Sequence, residues 1–305
     1  MFSQRNHSRF VGINLNRMKF KLTYILIFAL LVSCKQDKLM VVTDFNSKLI
    51  SEYIDPYELD SINEDWVKED SLFLSDLKNV LKKDERNIID IFKIDKNDRR
   101  TKLGFGYEQI ESSMGKGYVS IFYNVIFKEG QIISYEFSPQ IPRNKSLTER
   151  YLNLYSGIFK IENNRIYNRY YNIEEMESPL KNIKLDFSLN ENLRFLMTPF
   201  SGTRYGYYGG EAGSIFTNRA VFLEESKNMS TEVCRTLMYS KNPSTRLMAF
   251  EHYIKNDSEF KNSDLINNWI DEVYSELPTI VTLEGCFVIQ RDSKELVSEY
   301  VKRKN

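Results

Sequence analysis

Hydrophobic and polar positions divide the chain into stretches with different periods. Leu22 to Val32 is a mainly apolar run, headed by Lys19 and Lys21 and followed by Ser33 and Cys34. Polar residues dominate from Lys35 to about Phe45. Scattered apolar positions then lead to Asp55-Pro56, where the proline disfavours a helical residue before it. Leu74, Leu77 and Leu81 recur at helical spacing behind Ser71, with Leu72 and Val80 at the edges and lysines at the end. That spacing predicts a helix capped by Ser71.

Between Thr101 and Pro142 the period shortens. Val119 to Phe127 and Ile132 to Phe137 are rich in β-branched and aromatic residues and flank Lys128-Glu129-Gly130-Gln131, the pattern of a hairpin. Apolar residues on both faces of its first strand predict a strand that is covered on both sides or paired centrally. Pro139 and Pro142 end the second strand. Ser146-Leu147-Thr148-Glu149 has the form of a capping box, and Leu147, Tyr151, Leu154 and Ile158 line one face of the helix it starts. Phe159–Ile161 and Ile166–Tyr171, around Asn163-Asn164, predict a second hairpin.

The last third predicts helices: 231–239 behind Ser230, one from Pro243 capped by Asn242, then 263–275 and 292–302. Thr279 to Ile289 is an apolar run that fits neither period. No βαβ alternation is present. The fold class expected is α+β: a small antiparallel sheet with helices, followed by an all-helical C-terminal part. Within the helix from Asn242, Pro243, Arg246 and Ala249 have a Pro-x-x-Arg-x-x-Ala spacing that resembles one helix of a HEAT-type repeat. With a single copy visible, the likeness over about 231–256 implies a helical hairpin and not a stacked array.

The first apolar run spans about 16 Å as a helix, roughly half the hydrocarbon core of a bilayer. A lysine pair, a short apolar segment and small residues before a cleavage point make a secretory signal. Its ending, Leu31-Val32-Ser33-Cys34, resembles the lipobox of bacterial lipoproteins. The resemblance implies cleavage before Cys34, acylation of that cysteine and attachment of everything after it to an envelope membrane. Residues 1–17 carry Arg5, Arg9 and Arg17 but no apolar face, which places the expected translation start at Met18. Lys35 after the cysteine is not aspartate, and by the same resemblance this favours the outer membrane. The organisation expected is a leader over 1–33, a lipid-anchored tether over 34–45, a mixed domain over 46–200, a connector or binding loop over 201–214 and a helical part over 215–305.

Composition narrows the chemistry. Removing 1–33 takes away five basic residues and no acidic one, leaving 37 Lys and Arg against 42 Asp and Glu, a net charge near −5. Such a body has no general attraction to nucleic acid. The partners expected are the bilayer, through Cys34, and an envelope protein or polysaccharide. Once His7 goes with the leader, His252 is the sole histidine. A multi-histidine zinc site is therefore excluded, and any Ser-His or Cys-His mechanism would have to use that one imidazole. No cofactor motif is present: the glycines near Gly206 lack the strand, lysine and spacing of a phosphate loop or a dinucleotide fingerprint.

Five of the thirteen glycines fall between Thr198 and Ser214, interleaved with Arg204, Tyr205, Tyr207, Tyr208 and Glu211. One reading is a ligand loop, with arginine for an anionic group and tyrosines for stacking. The other is a structural connector with its tyrosines tucked inward. Cys234 and Cys286 are the two thiols left beside Cys34, and an exported protein could join them. Equally, Cys234 lies in an apolar helical pattern where a buried thiol is ordinary. The pairs Glu174-Glu175 and Glu224-Glu225 diverge on a helix and read as charged surface, so no catalytic residue is assigned. The expected function is a membrane-anchored binding or interaction protein. An anchored carboxylate-dependent hydrolase of an envelope or extracellular polymer is the alternative.

Overall fold

The computed structural model describes residues 61–83, 87–94, 99–162, 165–181, 187–210, 213–256 and 264–303. The leader, the lipobox with Cys34, the tether, Asn163-Asn164 and Glu211 lie outside the described residues. Asp60–Pro142 and Arg150–Asn305 form one compact unit, which holds every described element except the start of the helix at Lys145.

The fold is α+β. The first helix among the described residues, α1 (Glu64–Lys83), begins seven residues before the expected Ser71 cap. Asn63 Oδ1 accepts from the N–H groups of Asp65 (3.1 Å) and Trp66 (3.3 Å), and Glu64 and Asp65 suit the positive end of the helix. Ser71 instead lies inside α1, its hydroxyl donating to Val67 O at 2.7 Å. Val67, Asp70, Phe73, Leu74 and Leu77 make the buried face. A short helix, α2 (Ile88–Phe92), follows.

Six strands form one antiparallel sheet: β1 (Thr101–Gly104), β2 (Tyr107–Lys116), β3 (Val119–Lys128), β4 (Gln131–Pro139), β5 (Lys160–Glu162) and β6 (Arg165–Tyr171), in spatial order β1-β2-β3-β4-β6-β5. The expected hairpin is β3–β4, closed by Glu129 and Gly130, both with positive φ, between paired Lys128 and Gln131. β3 is central, between β2 and β4, which explains the apolar residues on both of its faces. The second expected hairpin is β5–β6. Between these hairpins, α3 (Lys145–Tyr155) starts one residue ahead of the expected Ser146 cap, with Asn144 Oδ1 accepting from Leu147 N at 3.3 Å. Buried Asp70 clips α1 to the sheet: it accepts from Tyr118 N at 2.7 Å and from the Tyr151 hydroxyl.

After β6 come α4 (Ile173–Glu177), a 3-10 turn at Ser178–Leu180 and α5 (Phe187–Met197). The chain from Thr198 to Phe216, with the two-residue strands β7 (Tyr208–Gly209) and β8 (Ser214–Ile215), leads to α6 (Thr217–Ser226). Then come α7 (Thr231–Leu237), α8 (Pro243–Asn256) and α9 (Asp264–Glu276). Ser230 caps α7 and Asn242 caps α8, as their spacing requires. The unassigned apolar run becomes a hairpin, β9 (Thr279–Glu284) with β10 (Phe287–Asp292), before α10 (Ser293–Lys302) closes the chain. Leu196, Leu237, Leu247, Met248, Phe250 and Val273 centre the helical core.

α8 is buried nearly all round, including its polar first turn. Asn242 Nδ2 donates to Thr198 O (2.8 Å) and Gly202 O (3.0 Å), and Ser244 Oγ to Arg204 O (2.8 Å). Asn218 adds donors to Gly202 O and Arg204 O. The 198–206 segment thus closes its own backbone hydrogen bonds on α8 and α6, as an interior segment must. A Cβ at Gly209 would stand 2.5 Å from Leu283 and 2.6 Å from Phe216, so glycine is required where β7 passes the β9 hairpin. Among the described residues no helix is long and apolar enough to cross a membrane.

Candidate functional site

The tip joining β1 to β2 is Gly104-Phe105-Gly106, three consecutive residues with positive φ of 81°, 55° and 76°. Glycine adopts this region freely, but phenylalanine does so only under constraint. Here the constraint is visible. Phe105 N donates to Glu276 Oε2 at 3.1 Å, at the end of α9. The Phe105 ring stacks on Trp269 of α9 with centroids 5.2 Å apart, and the Arg246 guanidinium lies 4.7 Å from the ring centre. Trp269 also stacks on Tyr239 at 4.5 Å and is fixed in rotation by its N–H to Met238 O, 3.0 Å.

These residues form one wall of a pocket of about 850 Å³. Tyr107 at the start of β2, Lys128 at the end of β3 and the Ser178-Pro179 turn also line it, with α7 contributing Glu232 and Arg235. Lys241 and Arg246, before and within α8, complete the lining. Four cationic side chains (Lys128, Arg235, Lys241, Arg246) and one carboxylate (Glu232) therefore face a single cavity. Its volume falls within the usual range for small-molecule sites.

The electrostatics are unbalanced. Glu175, beside the pocket, accepts from the Tyr107 hydroxyl and from Lys128 Nζ (2.9 Å), and these bonds hold its carboxyl below the usual range. Burial, with Glu175 as hydrogen-bond partner, pushes the Tyr107 phenol up, so it stays a neutral donor. Lys128 is thereby satisfied. Arg246 is not: it is 1% exposed, its Nε donates to Ser240 O at 2.9 Å, and its Nη1 has no hydrogen-bond partner. It forms no ion pair among the described residues. Burial pushes its pKa down to about 10, against the pull of Tyr107 and Glu276. Lys241 is also shifted down, first by burial and then by Lys128 and Arg246, with Glu175 opposing.

The residues expected to bind from the sequence are placed otherwise. Arg204 pairs with Glu111 of β2 at 3.2 Å. Tyr205 is fully buried, and its hydroxyl donates to Glu251 Oε2 at 2.9 Å; Tyr207 donates to Glu251 Oε1 at 2.8 Å. Arg219, 1% exposed, completes this cluster through Glu251 (2.8 Å) and Gly206 O (3.0 Å). Tyr208 is exposed, and Glu211 lies outside the described residues. The connector is thus stitched inward at Tyr205 and Tyr207, the half-exposed Arg204 side chain lines a groove on the sheet with Glu111, and none of the connector's described residues lines the Arg246 pocket.

Cys234 and Cys286 are not bonded to each other. Cys234 is buried with its Sγ 3.4 Å from Ala249 O, and Cys286 is exposed in the β9–β10 turn. His252 lies on α8 against Asn256, and burial lowers its pKa. Glu224 pairs with Lys227 on the surface, whereas Glu225 is buried with Asn192, unlike the expected solvated pair. Two carboxylates do line one shallow groove on the sheet, Glu111 and Glu136. Each is engaged by arginine, Glu111 by Arg204 and Glu136 by Arg165 (2.7 Å) and Arg169. Among the described residues no group of three or more His, Cys, Asp or Glu side chains could hold a metal ion.

Sequence spacing does not single out the pocket. Of its lining, Arg246 alone stands out in the chain, for its place in a helical pattern, and the Gly-Phe-Gly tip is the local signal available. Comparison with known protein families, with curated proteins and with solved structures finds no match.

Proposed function

We propose that this chain is a lipid-anchored protein of the bacterial cell envelope, tethered through Cys34 to the outer membrane, that binds a small ligand in the Arg246 pocket. The observation that carries the binding role is the pocket itself: about 850 Å³, walled by Phe105, Trp269 and Tyr239 and floored by a buried guanidinium. Sites of this kind are mostly apolar with a few convergent polar groups. A carboxylate hydrolase needs two carboxyls facing one substrate, one of them free to donate a proton. Among the described residues Glu232 is the one carboxylate lining the pocket, and Glu175 beside it is held ionised. Binding therefore fits the geometry better than the hydrolytic reading. The anchor rests on the lysine-headed apolar run and on Leu31-Val32-Ser33-Cys34.

Two measurements test the two halves. Cells grown with labelled palmitate are expected to label this protein, and Cys34→Ser to abolish the label; unlabelled protein would sink the anchor. For the pocket, Trp66→Phe leaves Trp269 as the only tryptophan, since the chain has two. Titrating the detergent-solubilised full chain with neutral N-phenyl-1-naphthylamine is expected to give saturable energy transfer from Trp269. Thr236→Phe, which fills the pocket from α7, is expected to remove it. Transfer that does not saturate, or that survives the filled pocket, would end the proposal of a ligand site there.

A further inference from the structure

We infer that the ligand of this pocket is an organic anion, a carboxylate or phosphate on an apolar body, whose charged group is received by Arg246 and Lys241. The inference rests on the reading of the cavity as a ligand site and adds the class of ligand.

Arg246 carries the argument. A guanidinium removed from water without a carboxylate is costly, and buried charges are ordinarily paired. Arg246 is 1% exposed, has Nη1 unpartnered and lines an open cavity. The carboxylate of Glu276, which acts on it from a distance, is engaged with the backbone of Phe105. Lys241 lines the same cavity with no hydrogen bond or ion pair to any described residue; Glu175 attracts it from a distance, Lys128 and Arg246 repel it, and its Nζ lies 5.8 Å from the centre of the Tyr107 ring. Glu175 offsets Lys128 and is itself satisfied by Tyr107 and Lys128. Two cations without a directly paired carboxylate thus share one cavity. An anion seated beside Lys241 would relieve the repulsion and bring a negative charge to the buried guanidinium, forming charge-assisted bonds with the ammonium in a site partly shielded from water.

Size and wall chemistry set the rest of the ligand. The cavity is far larger than an inorganic anion needs, and Phe105, Trp269 and Tyr239 give it an aromatic lining next to Arg246. A ligand that fills it has an apolar portion lying along that wall, where burial of apolar area adds to the ionic contact.

The test compares two probes of one skeleton on the Trp66→Phe full chain, with Thr236→Phe subtracting partition into detergent. 8-Anilino-1-naphthalenesulfonate carries a sulfonate that N-phenyl-1-naphthylamine lacks. The anionic probe is expected to bind at least tenfold more tightly. Lys241→Met and Arg246→Met are each expected to cut that preference at least threefold, with the neutral probe measured on the same variant as the reference. Lys241→Met keeps the test valid if Arg246→Met fails to fold, because Lys241 is only half-buried. Competition with benzoate, phenyl phosphate and benzyl alcohol sorts the source: displacement by benzoate assigns a carboxylate ligand, and displacement by phenyl phosphate a phosphate ligand. Equal affinity for the two probes, or displacement by benzyl alcohol as readily as by both anions, would overturn the anion assignment while leaving the cavity a ligand site. Saturable binding of neither probe would overturn both.

Discussion

Two arginines on neighbouring helices are equally buried and differently provided for. Arg219 of α6 meets the Glu251 carboxylate, the Gly206 carbonyl and the ring of Tyr207 at 4.1 Å, while Tyr205, Tyr207 and Lys255 share the remaining demand of Glu251. Arg246 of α8 has a carbonyl, the face of Phe105 and an open cavity. The first arrangement pairs its charge with a buried carboxylate and holds the connector against the helices, although Arg219 Nη2, like Arg246 Nη1, has no hydrogen-bond partner. The second is electrically incomplete. A buried charge that the fold satisfies is part of the scaffold; one that the fold leaves facing a cavity is a place for something else.

The sharpest way to break this contrast is stability. Arg219→Met takes the buried cation away from Glu251, leaving it Lys255 and two tyrosine hydroxyls, and is expected to cost about 3–5 kcal/mol in urea unfolding. Arg246→Met removes a charge that has no carboxylate partner and loses one bond to Ser240 O, so about 2 kcal/mol or less is expected. Equal losses would mean that Arg246 is as structurally satisfied as Arg219.

Acid titration is the next test. Although burial pushes Glu251 up, Arg219, Tyr207 and Lys255 hold its carboxyl below the ordinary 4.5. The folded state then binds fewer protons than the unfolded one. The stability Glu251 contributes is present above 4.5 and is lost as the pH falls through its lower folded value. Glu251→Gln is expected to flatten that limb of the stability curve; an unchanged acid limb would remove Glu251 from the account.

A smaller effect separates the two sites at high pH. Arg246 and Lys241 are both shifted down, and a bound anion favours their charged forms. Affinity for the sulfonate probe is expected to hold through neutral pH and to fall as the pH rises toward about 10, with no matching fall for the neutral probe. Parallel curves would show that neither cation meets the sulfonate.

The sequence conveyed local structure well and convergence poorly. β3–β4 was legible because both strands and their two-residue turn are adjacent in the chain. The caps at Ser230 and Asn242 are equally local. Ser71 misled because Asn63, eight residues earlier, is as good a cap, and only tertiary burial of Val67 and Asp70 decides between them. The run at Thr279–Ile289 stayed ambiguous because consecutive apolar residues suit a strand or a buried helix alike, and its turn at Gly285-Cys286 carries one glycine. The connector at 198–214 drew attention because glycine and tyrosine are conspicuous in a list of letters, yet its tyrosine at 205 faces inward. The pocket was hidden for the opposite reason. Phe105, Lys128, Lys241, Arg246 and Trp269 come from a turn, a strand end and two helical regions, and only the fold brings them together.

Phe105 sits under two opposed demands. Its backbone conformation would be adopted more readily by glycine or asparagine, yet either replacement would strip Trp269 and Arg246 of the ring that covers them. Substitution at this one site therefore trades ease of folding against the shape of the cavity.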